Sequence, residues 1–483
     1  MEQIAENIKS FFQTFAPDEI TYFEKLPQSG GDRIYFRIVT GNKSYIATYN
    51  DNVRENSAFL NFTKHFKKIN APVPEIYSTH TDGKIYIQQD FGNTSLLNEL
   101  EKHGQTNYVY DLFKKSLKSL AWLQIKGSKN FDDSFCLTSK EFGKQAILSD
   151  LLYFKYYFLD TLKIGYDKEK LIDDFEALSN YLTRVEHTYF MFRDFQSRNI
   201  YIQNDEVHFI DYQGGMMGAL QYDAASLLWQ ARANLTEEWK DSLLEYYMDC
   251  VSEILNKPID RIRFVSQYNG YVLIRLMQVL GAYGFRGMFE RKAQFLTSIP
   301  LALTNLKWFL NNKKTGIALP EYERLLQFIV QDDIINRFRP IQATSSTPLV
   351  VTINSFSYLR TGYPIDETTN GGGFVFDCRG ILNPGRFEEY KSITGRDKPV
   401  MDFLEQQTKM PDFLNSVYNM VDISVENYIE RNFESLVISF GCTGGQHRSV
   451  YAADALARHL RNKFKVKIEL NHIQQGIHEH KGF

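Results

Sequence analysis

The chain has 483 residues, 43% hydrophobic and 23% charged, a balance that excludes intrinsic disorder and at this length calls for two or three cores. A formal net charge of -3 excludes a global basic field for nucleic acid and leaves only a local basic face. The cysteines Cys136, Cys250, Cys378 and Cys442 lack CxxC spacing, which argues against a zinc site or a disulfide framework and for a reducing compartment.

The start, MEQIAENIKSFFQTFAPDE, is acidic and amphipathic, without a basic region followed by an apolar run, and no later stretch is long and apolar enough to span a bilayer. A cytoplasmic location with no membrane partner is expected. TYFEKL, IYFRIVT and SYIATY read as strands joined by turns at Gln28-Ser29-Gly30-Gly31-Asp32 and Gly41-Asn42. Helical periodicity covers Arg54 to Lys68, and PVPEIYSTHTDGKIYIQQD reads as two strands about Asp82-Gly83. From Ser95 onward the pattern is helical over 109–125, 139–162, 168–183, 236–255, 260–285 and 295–311, interrupted by the β-rich TYFMFRDFQSRNIYIQNDEVHFIDYQ. A small β lobe followed by a large helical lobe with a β insertion predicts an α+β, protein-kinase-like fold. The expected domain spans 1–340, with lobes 1–89 and 90–340.

QATSSTP is small, polar and ends in proline, so 341–347 reads as a linker. Beyond it LVVTINSF, GFVFDCRG and SLVISFG read as strands alternating with helices at 399–407, 411–430 and 447–463. That order predicts a separate α/β domain over 348–483 with a mainly parallel sheet. The ending, NHIQQGIHEHKGF, is expected as a tail without regular structure.

Phosphoryl transfer needs a carboxylate to hold the acceptor hydroxyl, and a second carboxylate with an amide to clamp a metal on the phosphates. Asp194 and Asn199 stand five apart in RDFQSRN, the spacing of a kinase catalytic loop, and Asp211 ends the apolar strand VHFID. Each alone is weak, since strand-ending aspartates are commonly turn formers; the ordered set on a loop–hairpin–loop is not.

FRDFQSRN…FIDYQGGMMGALQYDAASLL, with SGGDRIYFRI, IYIQQDFGNTSL and RLMQVLGAYGFRGMFERKAQFLTSIP, resembles the aminoglycoside-phosphotransferase superfamily over roughly 15–312. Within it the likeness is to N-acetylmuramate/N-acetylglucosamine 1-kinases. The resemblance implies ATP and Mg²⁺ as cofactors, a sugar substrate, Asp194 as catalytic base, and Asn199 and Asp211 as metal ligands. It further implies that Ser29, Gly30, Gly31, Asp32 and Arg33 lie over the nucleotide phosphates and Asp90 beside the adenine. Asp150 and Tyr157 would face the sugar, although an aromatic helical stripe is more often core. Asp223 would tie down the catalytic loop. Phe192 replaces the usual histidine, and Tyr45-Ile-Ala-Thr-Tyr49 lacks the phosphate-binding lysine. Without it Glu55 reads as a surface charge, and Arg33 and Arg37 as solvated strand residues of which one could reach phosphate. A degenerate kinase that binds without turnover is the competing reading.

In the second domain Ser439-Phe-Gly-Cys-Thr-Gly-Gly-Gln-His-Arg-Ser449 runs from strand through a glycine turn to a helix N-terminus, which suits an anion. Cys442 and Arg448 also have CX5R spacing, so a cysteine nucleophile stays open. GCTGGQHRSV, VFDCRGILNP and SITGRDKPVMDFL resemble the RapZ C-terminal domain over roughly 348–470, while no GxxxxGK[ST] occurs. That likeness implies a phosphosugar ligand without phosphatase activity, held by Asp377, Arg379, Thr443, Gly444, His447 and Arg448, with Arg386, Asp397 and Lys398 at the rim. RNA is disfavoured, because the basic residues of 457–467 are spaced as a solvated helix face; a homo-oligomer is left open. The run Asn370–Gly373 departs from the resemblance near the pocket entrance. The whole reads as an amino-sugar kinase with a phosphosugar-sensing module. The alternative is a non-catalytic regulator whose second domain binds RNA or protein.

Overall fold

The computed structural model describes residues 2–26, 33–41, 43–184, 186–289, 293–339, 341–365 and 373–481. Strands β1 Tyr22–Lys25, β2 Ile34–Thr40, β3 Lys43–Tyr49, β4 Ile76–Thr79 and β5 Ile85–Gln89 form an antiparallel sheet in the order β1-β2-β3-β5-β4. Period-two alternation gives it two faces. Phe36, Ile38, Ala47 and Ile87 meet Ile8 and Phe12 of helix α1, Glu2–Phe15. Tyr35, Thr48 and Tyr86 stand abreast on the opposite face. There Tyr86 stacks on Phe59 of α2, Val53–Lys67, with ring centroids 5.4 Å apart.

A larger helical lobe follows. Helices α3 Leu96–His103, α4 Asn107–Gly127, α5 Lys144–Phe154 and α6 Lys168–Leu182 lead to β6 Tyr189–Met191, β7 Ile200–Gln203, β8 Glu206–Phe209 and β9 Met216–Gly218. β6 pairs with β9 and β7 with β8. Then come α7 Leu220–Leu228, α8 Glu237–Leu255, α9 Arg261–Tyr283, α10 Ala293–Leu296, α11 Ile299–Asn312, α12 Pro320–Ile329 and α13 Asp332–Arg337. This is the protein-kinase-like outline. The helix expected over 139–162 is shorter than its periodicity suggested: α5 ends at Phe154 and continues as a π-helical turn, Lys155–Leu159. A second π turn, Gly284–Phe289, follows α9. A Cβ on Gly281 would meet Tyr153 Cδ1 at 2.8 Å, and one on Gly284 would meet Tyr157 O at 2.1 Å. Glycine at these positions lets α9 and its π turn lie directly on α5 and its own.

Met1–Glu290 with Gln294–Arg337 form one unit, and Phe338–Phe483 falls in the other. The second unit holds β10 Val350–Ser357, β11 Gly373–Asp377, β12 Ser435–Cys442, β13 Lys467–His472 and β14 Ile477–Lys481, in the order β11-β12-β10-β13-β14. All neighbours are parallel except β13 and β14. Its helices are α14 Lys398–Gln407, α15 Met410–Glu430 and α16 Arg448–Phe464. Val351, Ile353, Ile438, Leu456 and Leu470 are among its core residues. Within the segment read as a linker, Ala343 is buried in that core and its N–H donates to Phe464 O at 2.7 Å. The ending expected as an unstructured tail is instead part of the sheet. His472 closes β13, wholly buried behind Ile468 and Leu470, and β14 returns antiparallel beside it. Among the described residues no helix is long and apolar enough to cross a membrane.

Candidate functional site

In the first unit three segments distant in sequence converge below the sheet. The chain leaves β6 through Phe192 and Arg193, makes one tight turn over Ser197–Asn199 and enters β7. Arg193 is left-handed, with φ of 73°, a conformation that costs a non-glycine residue energy unless its surroundings hold it. Asp223, wholly buried on α7, does the holding: its carboxylate accepts from Phe192 N at 2.8 Å, Arg193 N at 3.0 Å and Gln124 Nε2 at 3.1 Å. Burial pushes the Asp223 carboxyl up to about 7. Phe192, where a histidine was expected, packs its ring against Phe195, Phe209 and Tyr212 and anchors the loop by apolar contact.

Asp194, Asn199 and Asp211 are brought together. Asn199 Nδ2 donates to Asp194 O at 3.0 Å and lies 3.3 Å from Asp211 Oδ2. Asp211 is also left-handed, at φ 67°, and Gln213 Nε2 donates to its Oδ1 at 2.8 Å. The next residue, Tyr212, is buried against α2, hydrogen-bonded to Thr63 and stacked on Phe59.

Arg33 joins this group. Neither it nor Arg37 is a solvated strand residue. Arg33 is 6% exposed, paired with Glu55, 3.3 Å from Tyr35 OH and 3.8 Å from Asp211 Oδ1. Glu55 is correspondingly not a loose surface charge: it opens α2 behind the Asn52 cap and also accepts from Asn50 Nδ2 at 2.9 Å. A buried cation paired with a glutamate of α2 is therefore present, delivered from just before β2. Arg37 grips Asp90 with Nε at 2.6 Å and NH2 at 2.9 Å, and Ser44 donates to the same carboxylate. Asp90 thus follows β5 with its carboxylate committed to β2 and β3, and its carbonyl accepts from Gln203 Nε2 at 3.5 Å. Ser29, Gly30, Gly31 and Asp32 lie outside the described residues.

Asp150 does not present a free carboxylate to the cleft. It is 5% exposed, Arg193 NH2 donates to its Oδ1 at 2.7 Å, and burial pushes its carboxyl up. One and two turns further along, Tyr153 and Tyr157 form a half-exposed aromatic ledge with Phe285 and Phe289, at centroid distances of 4.8 to 5.6 Å around Tyr157. Arg275 was not singled out by sequence. It comes from α9 and donates from NH2 to Asp194 Oδ1 at 3.2 Å. Its signal was there: a lone cation inside the apolar run YVLIRLMQVL.

In the second unit the loop between β12 and α16 gathers most of the expected residues. Arg448 is 4% exposed; its NH1 donates to Arg379 O at 3.0 Å and Ile381 O at 2.7 Å, and its NH2 reaches Thr443 Oγ1 at 3.4 Å. Arg379 Nε and NH2 grip Asp377, which holds that carboxyl below the usual range, and the guanidinium lies 4.2 Å from the Tyr358 ring centroid. Gly444 is open: a Cβ there would meet nothing within 4 Å. His447 faces the other way, its Nε2 2.9 Å from Tyr390 O. Cys442 is 2% exposed, and its sulfur accepts from Gly445 N at 3.2 Å and lies 3.2 Å from Ser449 Oγ. Of the rim candidates, Asp397 caps Thr394 and Lys398 pairs with Asp402, while Arg386 sits in a short turn. Asn370, Gly371 and Gly372 lie outside the described residues. Lys463 of the basic run pairs with Asp422 at 2.8 Å.

Two family models match the chain: the phosphotransferase enzyme family APH over residues 24–254 and the RapZ C-terminal domain over residues 349–475. A nucleotide-binding protein of Clostridium botulinum is 37% identical over 132 residues, covering 27% of this chain and 43% of that protein, so the chain spans less than half of that relative. A nucleotide-binding protein of Fervidobacterium nodosum is 34% identical over 249 residues, covering 47% of this chain and 86% of that protein. Among solved structures, a choline kinase from Cryptosporidium parvum superposes with a TM-score of 0.45 at 14% identity, covering 67% of this chain and 99% of that one. The chain belongs to the phosphotransferase enzyme family through its first unit and to the RapZ C-terminal domain family through its second.

Proposed function

We propose that the first unit is an ATP-dependent kinase for a hydroxyl of an amino sugar, of the N-acetylmuramate or N-acetylglucosamine type, and that the second unit senses an amino-sugar phosphate. The observation that carries the kinase reading is the meeting of Asp194, Asn199, Asp211, Arg33 and Glu55 at one cleft from three distant stretches of chain. Structural economy alone gives no reason to bring two acidic residues, an amide and a buried arginine together, one of the acids on left-handed backbone.

In this reading Asp194 accepts the proton of the acceptor hydroxyl as its oxygen bonds to the γ-phosphorus and the bond to ADP breaks. Arg33 binds phosphate oxygens, and Glu55 keeps its guanidinium aimed. A hard cation such as Mg²⁺ takes oxygen donors and needs only one or two from protein when phosphates supply the rest. The carboxylate of Asp211 and the side-chain amide of Asn199 fit that demand and would hold it, where its charge offsets that of the phosphates. The aromatic ledge at Tyr153 and Tyr157 offers flat apolar surface to a sugar ring face. For the second unit, support comes from a backbone loop opening α16, a buried Arg448 and an open Gly444. Burial of Cys442 favours a sensor over a phosphatase.

A panel of sugars, with muramic and glucosamine derivatives included, should give ADP release with at least one acceptor. Asp194→Asn should then lower turnover by about 10²-fold or more with ATP affinity nearly intact, since it removes a base and not a nucleotide contact. Wild-type turnover in that variant would refute the role of the loop, and ADP release with no sugar would refute the kinase reading.

A further inference from the structure

Arg275 lies in the middle of α9, where Val272, Ile274 and Met277 are wholly buried and Arg275 itself is 3% exposed. Burying a guanidinium in such surroundings is strongly unfavourable unless it is paired. Its pairing is specific. NH2 donates to Asp194 Oδ1 at 3.2 Å, and NH1 donates to Gln278 Oε1 at 2.7 Å, one turn along the same helix. Gln196 Nε2 reaches the same oxygen of Asp194 at 3.4 Å. Two donors therefore converge on Oδ1, and none of the described side chains donates to Oδ2. The Asp194 side chain is 48% exposed against 4% for that of Arg275, so the carboxylate is tied on its inner oxygen and open on its outer one.

We propose that Arg275 is a positioning residue for Asp194: it pins Oδ1 and so orients Oδ2 toward the acceptor hydroxyl. This rests on the kinase reading and adds to it a residue from the far helical lobe. The pinning matters because a carboxylate on a short side chain rotates freely once half solvated, and a displacement of about 1 Å of a reacting group costs on the order of 10²-fold in rate. Glycine at 281, where a Cβ would strike Tyr153 and the backbone of Phe154, keeps α9 against α5 and fixes the height of Arg275.

The test is a double-mutant cycle on kcat with ADP release as the readout. Arg275→Met alone should lower kcat about 10- to 100-fold with KM for ATP unchanged, and Arg275→Lys should recover part of the loss. In the Asp194→Asn background Arg275→Met should cost nothing further, because groups that act as a unit are not additive. A merely structural role predicts additive losses and no recovery by lysine. Should Arg275→Met fail to fold, Gln278→Leu releases NH1 while keeping the charge, and a severalfold loss of kcat is expected only in the presence of Asp194. An active wild type with additive variants overturns this role and leaves the kinase reading standing. A wild type inactive on every acceptor overturns both.

Discussion

Replacing Asp223 with alanine should loosen the catalytic loop before it touches any chemistry. The wholly buried carboxylate satisfies three N–H groups, at 2.8, 3.0 and 3.1 Å. Gln124 keeps the Leu220 carbonyl as an alternative at 3.4 Å, so the uncompensated loss falls on Phe192 N and Arg193 N. A buried donor left without a partner costs about 1–3 kcal/mol, which puts the total at roughly 2–6 kcal/mol, a large part of a typical folding free energy. Melting of the first unit should drop by several degrees, and hydrogen exchange at Phe192 and Arg193 should accelerate by about 10²-fold or more. Asp223→Asn should fall between, because both carboxylate oxygens accept from backbone and one amide NH₂ cannot. The same residue sets a pH dependence. Its carboxyl is raised to about 7 in the fold, so its contribution to stability is full below the ordinary carboxylate range, declines as pH rises through 4 to 7, and is flat above. Subtracting the stability profile of Asp223→Asn from that of wild type should isolate this slope. Unchanged melting and unchanged exchange at Phe192 and Arg193 would refute the reasoning.

Arg33→Ala should raise KM for ATP about 10-fold or more, and Glu55→Gln less, since the glutamate acts only through the arginine; equal ATP titrations in all three proteins would count against the pair. Arg448→Ala should weaken a hexosamine phosphate by a kcal/mol or more, through loss of charge-assisted hydrogen bonding and of the clamp on residues 379 and 381, as calorimetry would show. Equal affinity for glucosamine and its 6-phosphate would exclude a phosphate loop. Cys442→Ser should keep near-normal phosphosugar affinity and reveal no phosphatase activity; phosphate release by wild type that this substitution abolishes would reverse the choice.

Both lobes and the parallel sheet were legible because periodicity and turn chemistry are local signals, and Asp194, Asn199 and Asp211 were legible because their spacing lies on one loop and hairpin. What escaped was long-range. Arg33 and Glu55 are 22 residues apart, Arg37 and Asp90 are 53 apart, and Arg275 and Asp194 are 81 apart; nothing local tells a charge that it will be buried with a partner. Asp150 misled for the same reason, since its partner Arg193 sits 43 residues on. The C-terminal strands were hidden differently: their charged and polar residues, histidines among them, mask the alternation of Ile468, Leu470 and His472, which are buried.

The strand order of the second unit sets a timetable for its synthesis. β10 is made first but sits at the centre, and its neighbours β12 and β13 begin only at Ser435 and Lys467. At roughly 5–20 residues per second, several seconds pass in which VVTINSFS, apolar and β-prone, has both edges open. In the kinase-like sheet the longest wait is shorter, from β3 ending at Tyr49 to its partner β5 beginning at Ile85. A ribosome stalled before residue 467 would leave the kinase-like lobes finished and the second unit a half-built sheet, so the greater chaperone demand during expression belongs to the C-terminal third of the chain.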